Sequence, residues 1–225
     1  MKYSLPTNEV SAQNQLALVK IYVQKSNHGK RAVRIDEIKA LSPVKSDRIS
    51  KCHRFLVDLG LLIKEGHRYR PSKNAIKISG HFADGSDSTA QEDLRALVAG
   101  SWFGRFVEEF LKLVGSASRE SLVERLLIAA KMPDIDLNRR KAGVLIDWLL
   151  TANFIQKDSN DSFFLNETPF LPDNKHLSSS ELTGTGVSSA GEHGARLNLT
   201  IEVSLSELDP ELRSEIMNLI KQKLV

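Results

Sequence analysis

Ten residues of this chain recur in the same pattern 93 positions further on, and that echo restricts its fold more than any other feature. Phe55-Leu56-Val57-Asp58-Leu59-Gly60-Leu61-Leu62-Ile63-Lys64 aligns without gaps with Trp148-Leu149-Leu150-Thr151-Ala152-Asn153-Phe154-Ile155-Gln156-Lys157. Gly60 falls opposite Asn153, and these two residue types most readily take the left-handed conformation that closes a helix. Each copy therefore predicts a helix, a tight stop and a strand. Like sequences at a fixed interval are expected to fold into like units.

The surrounding pattern completes the first unit. Leu16, Val19, Tyr22 and Val23 lie at helical spacing, predicting a helix over 11–25. Ala32 to Ile35 reads as a short extended piece, followed by a small helix over 36–41 with Asp36 as N-cap. Ile49, Cys52, Phe55, Leu56 and Leu59 share one face of a helix over 46–59. The segments 61–64 and 68–70 flank Glu65-Gly66-His67 as a β-hairpin. Helix, strand, helix, helix and hairpin is the order of a winged helix. Upstream of the second copy, helices are expected over 102–114 and 118–131, with a bridging helix over 89–99, and Phe163-Phe164-Leu165 is the returning strand after the turn at 158–162.

The expected fold class is mainly α with small β-wings: tandem winged-helix domains plus a C-terminal strand-helix element. Residues 1–80 form a first, basic domain and 81–166 a second that includes the bridging helix. The stretch 167–196, rich in Ser, Gly and Thr, reads as a flexible linker. Within 197–225, Leu197, Leu199, Ile201 and Val203 alternate as in a strand. Asp209-Pro210 then opens an amphipathic helix carrying Leu212, Ile216, Leu219 and Ile220. One strand and one helix need a partner surface, so this element is expected to dock or to make a homo-oligomer.

Charge is distributed unevenly. Residues 1–80 hold 16 Lys and Arg against 6 Asp and Glu, a net +10, and the remainder 15 against 22, a net −7. A positive field concentrated on one unit attracts polyanions, and duplex DNA is the expected partner. On the third helix, Ser50, Lys51 and Arg54 project opposite the core face, alongside Asp47 and Asp58, and Lys45 stands at the helix entrance. Arg68 and Arg70 share the hairpin face away from Tyr69, with His67 at the tip and Lys64 and Lys73 nearby. Taken singly these are ordinary solvated charges; clustered on helix and wing they are candidates for phosphate and base contacts. In the second unit the corresponding helix presents Gly143, Ile146, Asp147 and Leu150, with Arg139 and Arg140 only at its start. Exposed Ile146 and Leu150 would favour protein contact over a groove; a rotated helical projection would instead place them in the core.

Little speaks for catalysis. Cys52 and His53 are adjacent on one helix and point about 100° apart, so they form no nucleophile–base pair. A single cysteine and histidines without ligand spacing leave metal and cofactor without support. Neither a secretory leader nor an apolar run long enough for a bilayer is evident, so a cytoplasmic protein is expected, nucleoid-associated if it binds DNA. Two functions follow from these residues: a non-enzymatic DNA-binding regulatory or accessory protein, or an adaptor whose winged helices and tail bind protein partners.

The tandem arrangement, the phrase Phe55-Leu56-Val57-Asp58-Leu59-Gly60-Leu61 and the tail Leu197-Asn198-Leu199-Thr200-Ile201-Glu202-Val203 resemble an uncharacterised family of prokaryotic proteins. Its members carry two winged-helix-like units and a C-terminal strand-helix appendix after a variable linker. The resemblance implies DNA binding or an accessory role and supplies no functional residues.

Overall fold

Four serines set the beginnings of helices in a computed structural model that describes residues 3–166. Helix α1 (Ala12–Lys25) is capped by Ser11, α4 (Lys73–Ala83) by Ser72, α6 (Trp102–Val114) by Ser101 and α7 (Arg119–Ala129) by Ser118. Each hydroxyl accepts a hydrogen bond from a backbone N–H three residues on, which satisfies one of the donors that a helix start leaves open. The remaining helices are α2 (Ile35–Ile38), α3 (Ser46–Asp58), α5 (Asp87–Gly100) and α8 (Asp136–Thr151). Strands β1 (Leu62–Glu65) and β2 (Arg68–Pro71) form one antiparallel sheet. Strands β3 (Ser116–Ser118), β4 (Ile155–Lys157) and β5 (Ser162–Leu165) form another, with β5 in the middle. The described residues are mainly helical, with small antiparallel sheets.

Both halves follow one chain path. In the second, α6, β3, α7, α8, β4 and β5 succeed each other, and β5 pairs with both β3 and β4. In the first, α1 leads to Val33, which bridges Tyr69 of β2 on the side away from β1, and α2, α3, β1 and β2 follow. Strand β3 of the second half is thus represented in the first by a single bridged residue.

The aligned stops have the same backbone chemistry. Gly60 has φ +81 and Asn153 φ +51. Leu61 N–H donates to Leu56 O at 2.9 Å, and the equivalent Phe154 N–H donates to Leu149 O at 2.9 Å. Such a bond, spanning the left-handed residue, satisfies a carbonyl at the helix end. A Cβ on Gly60 would come no closer than 3.8 Å to Leu97, so substitution there meets backbone strain rather than a clash. Gly60→Asn is therefore expected to cost less than about 1 kcal/mol and Gly60→Val about 2 kcal/mol, read by denaturant unfolding.

The halves meet through equivalent residues. Phe55 of α3 and Trp148 of α8 are aligned in the repeat, and their rings lie 5.9 Å apart. Phe55 also approaches Phe103 of α6 at 6.2 Å, while Trp148 Nε1–H donates to Gln15 Oε1 of α1 at 3.4 Å. This reciprocal contact is what a self-complementary interface between like parts produces. One continuous cluster of buried side chains runs through both halves, and the described residues group as one compact unit. The boundary expected at residue 80 falls inside α4.

Several expected elements shift. Helix α2 starts at Ile35 with Arg34, not Asp36, at the cap position, because Glu37 Oε1 reaches back to accept from Arg34 N–H at 2.8 Å. Helix α4 lies where no helix was expected. It pairs closely with α5, and Gly104 at the start of α6 admits no side chain, since a Cβ there would stand 2.0 Å from Val98 O.

Candidate nucleic-acid interface

Helix α3 turns Ile49, Cys52, His53, Phe55 and Leu56 inward and leaves Ser50, Lys51 and Arg54 exposed, as its periodicity predicted. Those outward cations are not free of carboxylates. The N-terminal segment places Glu9 beside the helix, where its carboxylate meets Arg48 at 3.1 Å and Lys51 at 2.5 Å. Ser4 Oγ donates to Asp58 Oδ2 at the far end. Arg48, Lys51 and Arg54 thus share this side with Glu9, Asp47 and Asp58, and the charges balance. Arg54 alone of the three cations has no carboxylate within ion-pair distance among the described residues. Lys45 occupies the exposed cap position before α3, where its side chain makes no capping bond.

The hairpin is tied to α3 from beneath. His53 is 2% exposed, stacks on Tyr69 with ring centroids 3.9 Å apart, and shares a 2.8 Å hydrogen bond between Nε2 and the Tyr22 hydroxyl. Burial pushes the His53 pKa down to about 4, so the ring is neutral at pH 7. Burial, and then the neighbouring Tyr69, raises that of Tyr22 far above the ordinary phenol. One ring nitrogen thus links α1 and α3, and the ring face supports β2. The Cys52 thiol is pushed up to about 12 chiefly by burial and points to Arg48 O at 3.5 Å, a structural arrangement rather than a nucleophile's.

The two-residue turn Gly66-His67 brings Glu65 opposite Arg68, and the glycine takes φ +60, as the first central position of such a turn allows. With Tyr69 facing inward, Arg68 and Arg70 lie on the outer face. Arg70 pairs with Glu65; Arg68 has no carboxylate within ion-pair distance among the described residues. Lys64 and His67 are exposed at the hairpin end. Lys73 belongs to the first turn of α4 rather than to the hairpin. Two further cations border this sheet. Arg31 reaches Glu37 at 2.6 Å, and Arg34 follows the bridged Val33 in extended conformation. Only the overall charge count pointed to them in the sequence, because neither falls on the third helix or the hairpin.

The second half corrects one expectation outright. Ile146 is 0% exposed and Leu150 partly buried, so neither forms an open contact surface. Helix α8 is packed by α1, α5 and α7, and Leu150 lines a cleft with Ser11, Ala12 and Gln13 of α1. Its arginines are internally matched: Arg139 with Asp134, Arg140 with Asp136, and Arg119 of α7 with Asp147. Leu199, Ile201, Leu212, Ile216, Leu219 and Ile220, named as oligomerisation residues, lie outside the described residues. Among those described, no group of three or more potential ligands could hold a metal ion, and no helix is long and apolar enough to cross a membrane.

No family model, curated protein or solved structure matches the chain.

Proposed function

We propose that this protein is a DNA-binding regulatory or accessory protein whose first half grips duplex DNA as a winged helix, with the second half buttressing it. One observation carries this: exposed cations without carboxylate partners gather on the first half, at Arg34, Arg54, Lys64 and Arg68, while on α7 and α8 Arg119, Arg139 and Arg140 are matched by Asp147, Asp134 and Asp136, and Arg125 lies over the Phe110 ring instead. The common path of helix, strand, two helices and hairpin supports the winged-helix assignment. Arg70 can join the contact by exchanging Glu65 for a phosphate, since an exposed ion pair contributes little on its own.

Fluorescence anisotropy of a labelled mixed-sequence duplex of roughly 20 base pairs tests this. Binding is expected at low salt, with affinity falling by about three orders of magnitude between 50 and 200 mM, as release of counterions from about six phosphates requires. No binding at 50 mM salt rejects the proposal. An adaptor role draws on a different observation. Leu113 is 84% and Ile128 61% exposed on the second half, large apolar side chains of the kind that protein interfaces cover. Capture of a protein partner undiminished by nuclease treatment favours that role.

A further inference from the structure

We infer that the principal phosphate seat is the outer face of the first half's small sheet, built around Arg34 and Arg68, and not the outward face of α3. This rests on the DNA-binding proposal and locates its contact. Val33 and Tyr69 exchange two backbone hydrogen bonds, Val33 N–H to Tyr69 O at 2.8 Å and Tyr69 N–H to Val33 O at 2.9 Å. In an antiparallel pairing of this kind the next residues along, Arg34 and Arg68, stand opposite each other. Val33 and Tyr69 face the interior, so alternation turns both arginines outward, and both are exposed.

Two like charges placed directly across a strand pair repel each other. Among the described carboxylates Glu37 feels Arg68, but only as the weakest of its partners, so the repulsion is little relieved. Neither guanidinium has a carboxylate within ion-pair distance among the described residues, and the nearest candidates are already engaged. Glu65 is held by Arg70. Glu37 accepts from the Arg34 backbone N–H at 2.8 Å and from Arg31 Nη1 at 2.6 Å. Its carboxyl is held below the ordinary range by that backbone bond first and by Arg31 second. Arg31, Arg34, Arg68 and Arg70 therefore outnumber Glu37 and Glu65, with Lys64 and His67 at the rim adding donors. On α3, by contrast, Glu9 already occupies Arg48 and Lys51. A phosphate on the sheet face gains two unmatched guanidiniums whose mutual repulsion it relieves, whereas on α3 it finds one, Arg54, and must displace the Glu9 carboxylate to reach Arg48 or Lys51. Arginine's planar fork suits phosphate oxygens.

The test compares two double variants of the full-length protein on the same duplex, Arg34→Gln/Arg68→Gln and Arg48→Gln/Lys51→Gln, across a salt series. For the sheet pair we expect at least a tenfold loss of affinity near 100 mM salt, with the slope of log K against log salt shallower by about 2. The α3 pair should stay within about threefold of wild type. Without DNA, Arg34→Gln/Arg68→Gln should melt no lower than wild type, since it removes a repulsion, which separates loss of a phosphate contact from loss of fold. A wild-type duplex affinity retained by the sheet pair, or an equal loss in both pairs, overturns this seat while leaving the DNA-binding proposal standing. Absence of binding by the wild type overturns both.

Discussion

Trp148→Ala is expected to lower the unfolding free energy by about 3–5 kcal/mol and to weaken both halves of the molecule together. Trp148 is fully buried, so the substitution removes a large apolar surface and leaves a cavity that its neighbours fill only in part. It also removes the indole donor from Gln15 Oε1, an acceptor in a buried side chain whose Nε2 is already committed to Val10 O at 2.8 Å. A buried acceptor left without its donor adds to the cost. Because Trp148 packs on Phe55 of the other half, the loss falls on the shared core. Urea unfolding followed by far-ultraviolet circular dichroism and by tryptophan fluorescence, from Trp102 and Trp148 in the wild type and Trp102 alone in the variant, should give coincident curves in each protein. Leu113→Ala, at a position almost fully exposed, should change stability by less than about 0.5 kcal/mol. Two separated transitions in the wild type would show that the halves fold independently.

That shared core explains what the amino-acid sequence disclosed and what it withheld. Elements with local punctuation were legible: Gly60 and Asn153 as stops, Gly66 in the hairpin turn. Helix α8 was legible as a helix but not in its orientation. Ala142 to Ile146, Trp148 and Leu149 are buried on nearly every side by α1, α5 and α7, and a helix covered all round has no polar face from which to project an outward one. Ile146 was misplaced for that reason. Helix α4 was missed because Gly80 and sparse apolar positions dilute its period, although Ser72 caps it and Ala75 and Ile78 anchor it.

The candidate interface divides along the same line. Exposure of Lys51, Arg54 and Arg68 follows from helix and strand periods and was readable. Neutralisation of Lys51 by Glu9 joins residues 42 positions apart and depends on where the N-terminal segment lies across α3. The facing of Arg34 and Arg68 depends likewise on a single bridge between distant segments. Charge counting located the basic half; only pairing in space shows which of its cations remain unmatched.

Acidification should destabilise the protein through His53 well before most carboxylates are protonated. The ring is enclosed by α1, α3 and β2, with the Tyr22 hydroxyl on Nε2 and the Tyr69 ring against its face, and its Nδ1 is buried without a hydrogen-bond partner among the described residues. No carboxylate forms an ion pair with it to compensate a charge, which is why burial alone depresses its pKa to about 4. In the unfolded chain the same ring titrates near the ordinary 6.5. Between these values the unfolded state binds a proton that the folded state refuses, so stability is full above pH 6.5, declines as pH falls and has lost the whole contribution below about pH 4. A gap of that size corresponds to about 3 kcal/mol. Glu37, whose folded carboxyl is held below the ordinary range, adds its own loss only at lower pH. Urea midpoints measured at intervals from pH 7.5 to pH 4 should show the decline in wild type and a markedly flatter profile in His53→Gln. That variant loses the Tyr69 stack and should be weaker than wild type at pH 7.5, so the two curves converge as pH falls. Parallel curves for the two proteins would show that His53 is not the titrating group.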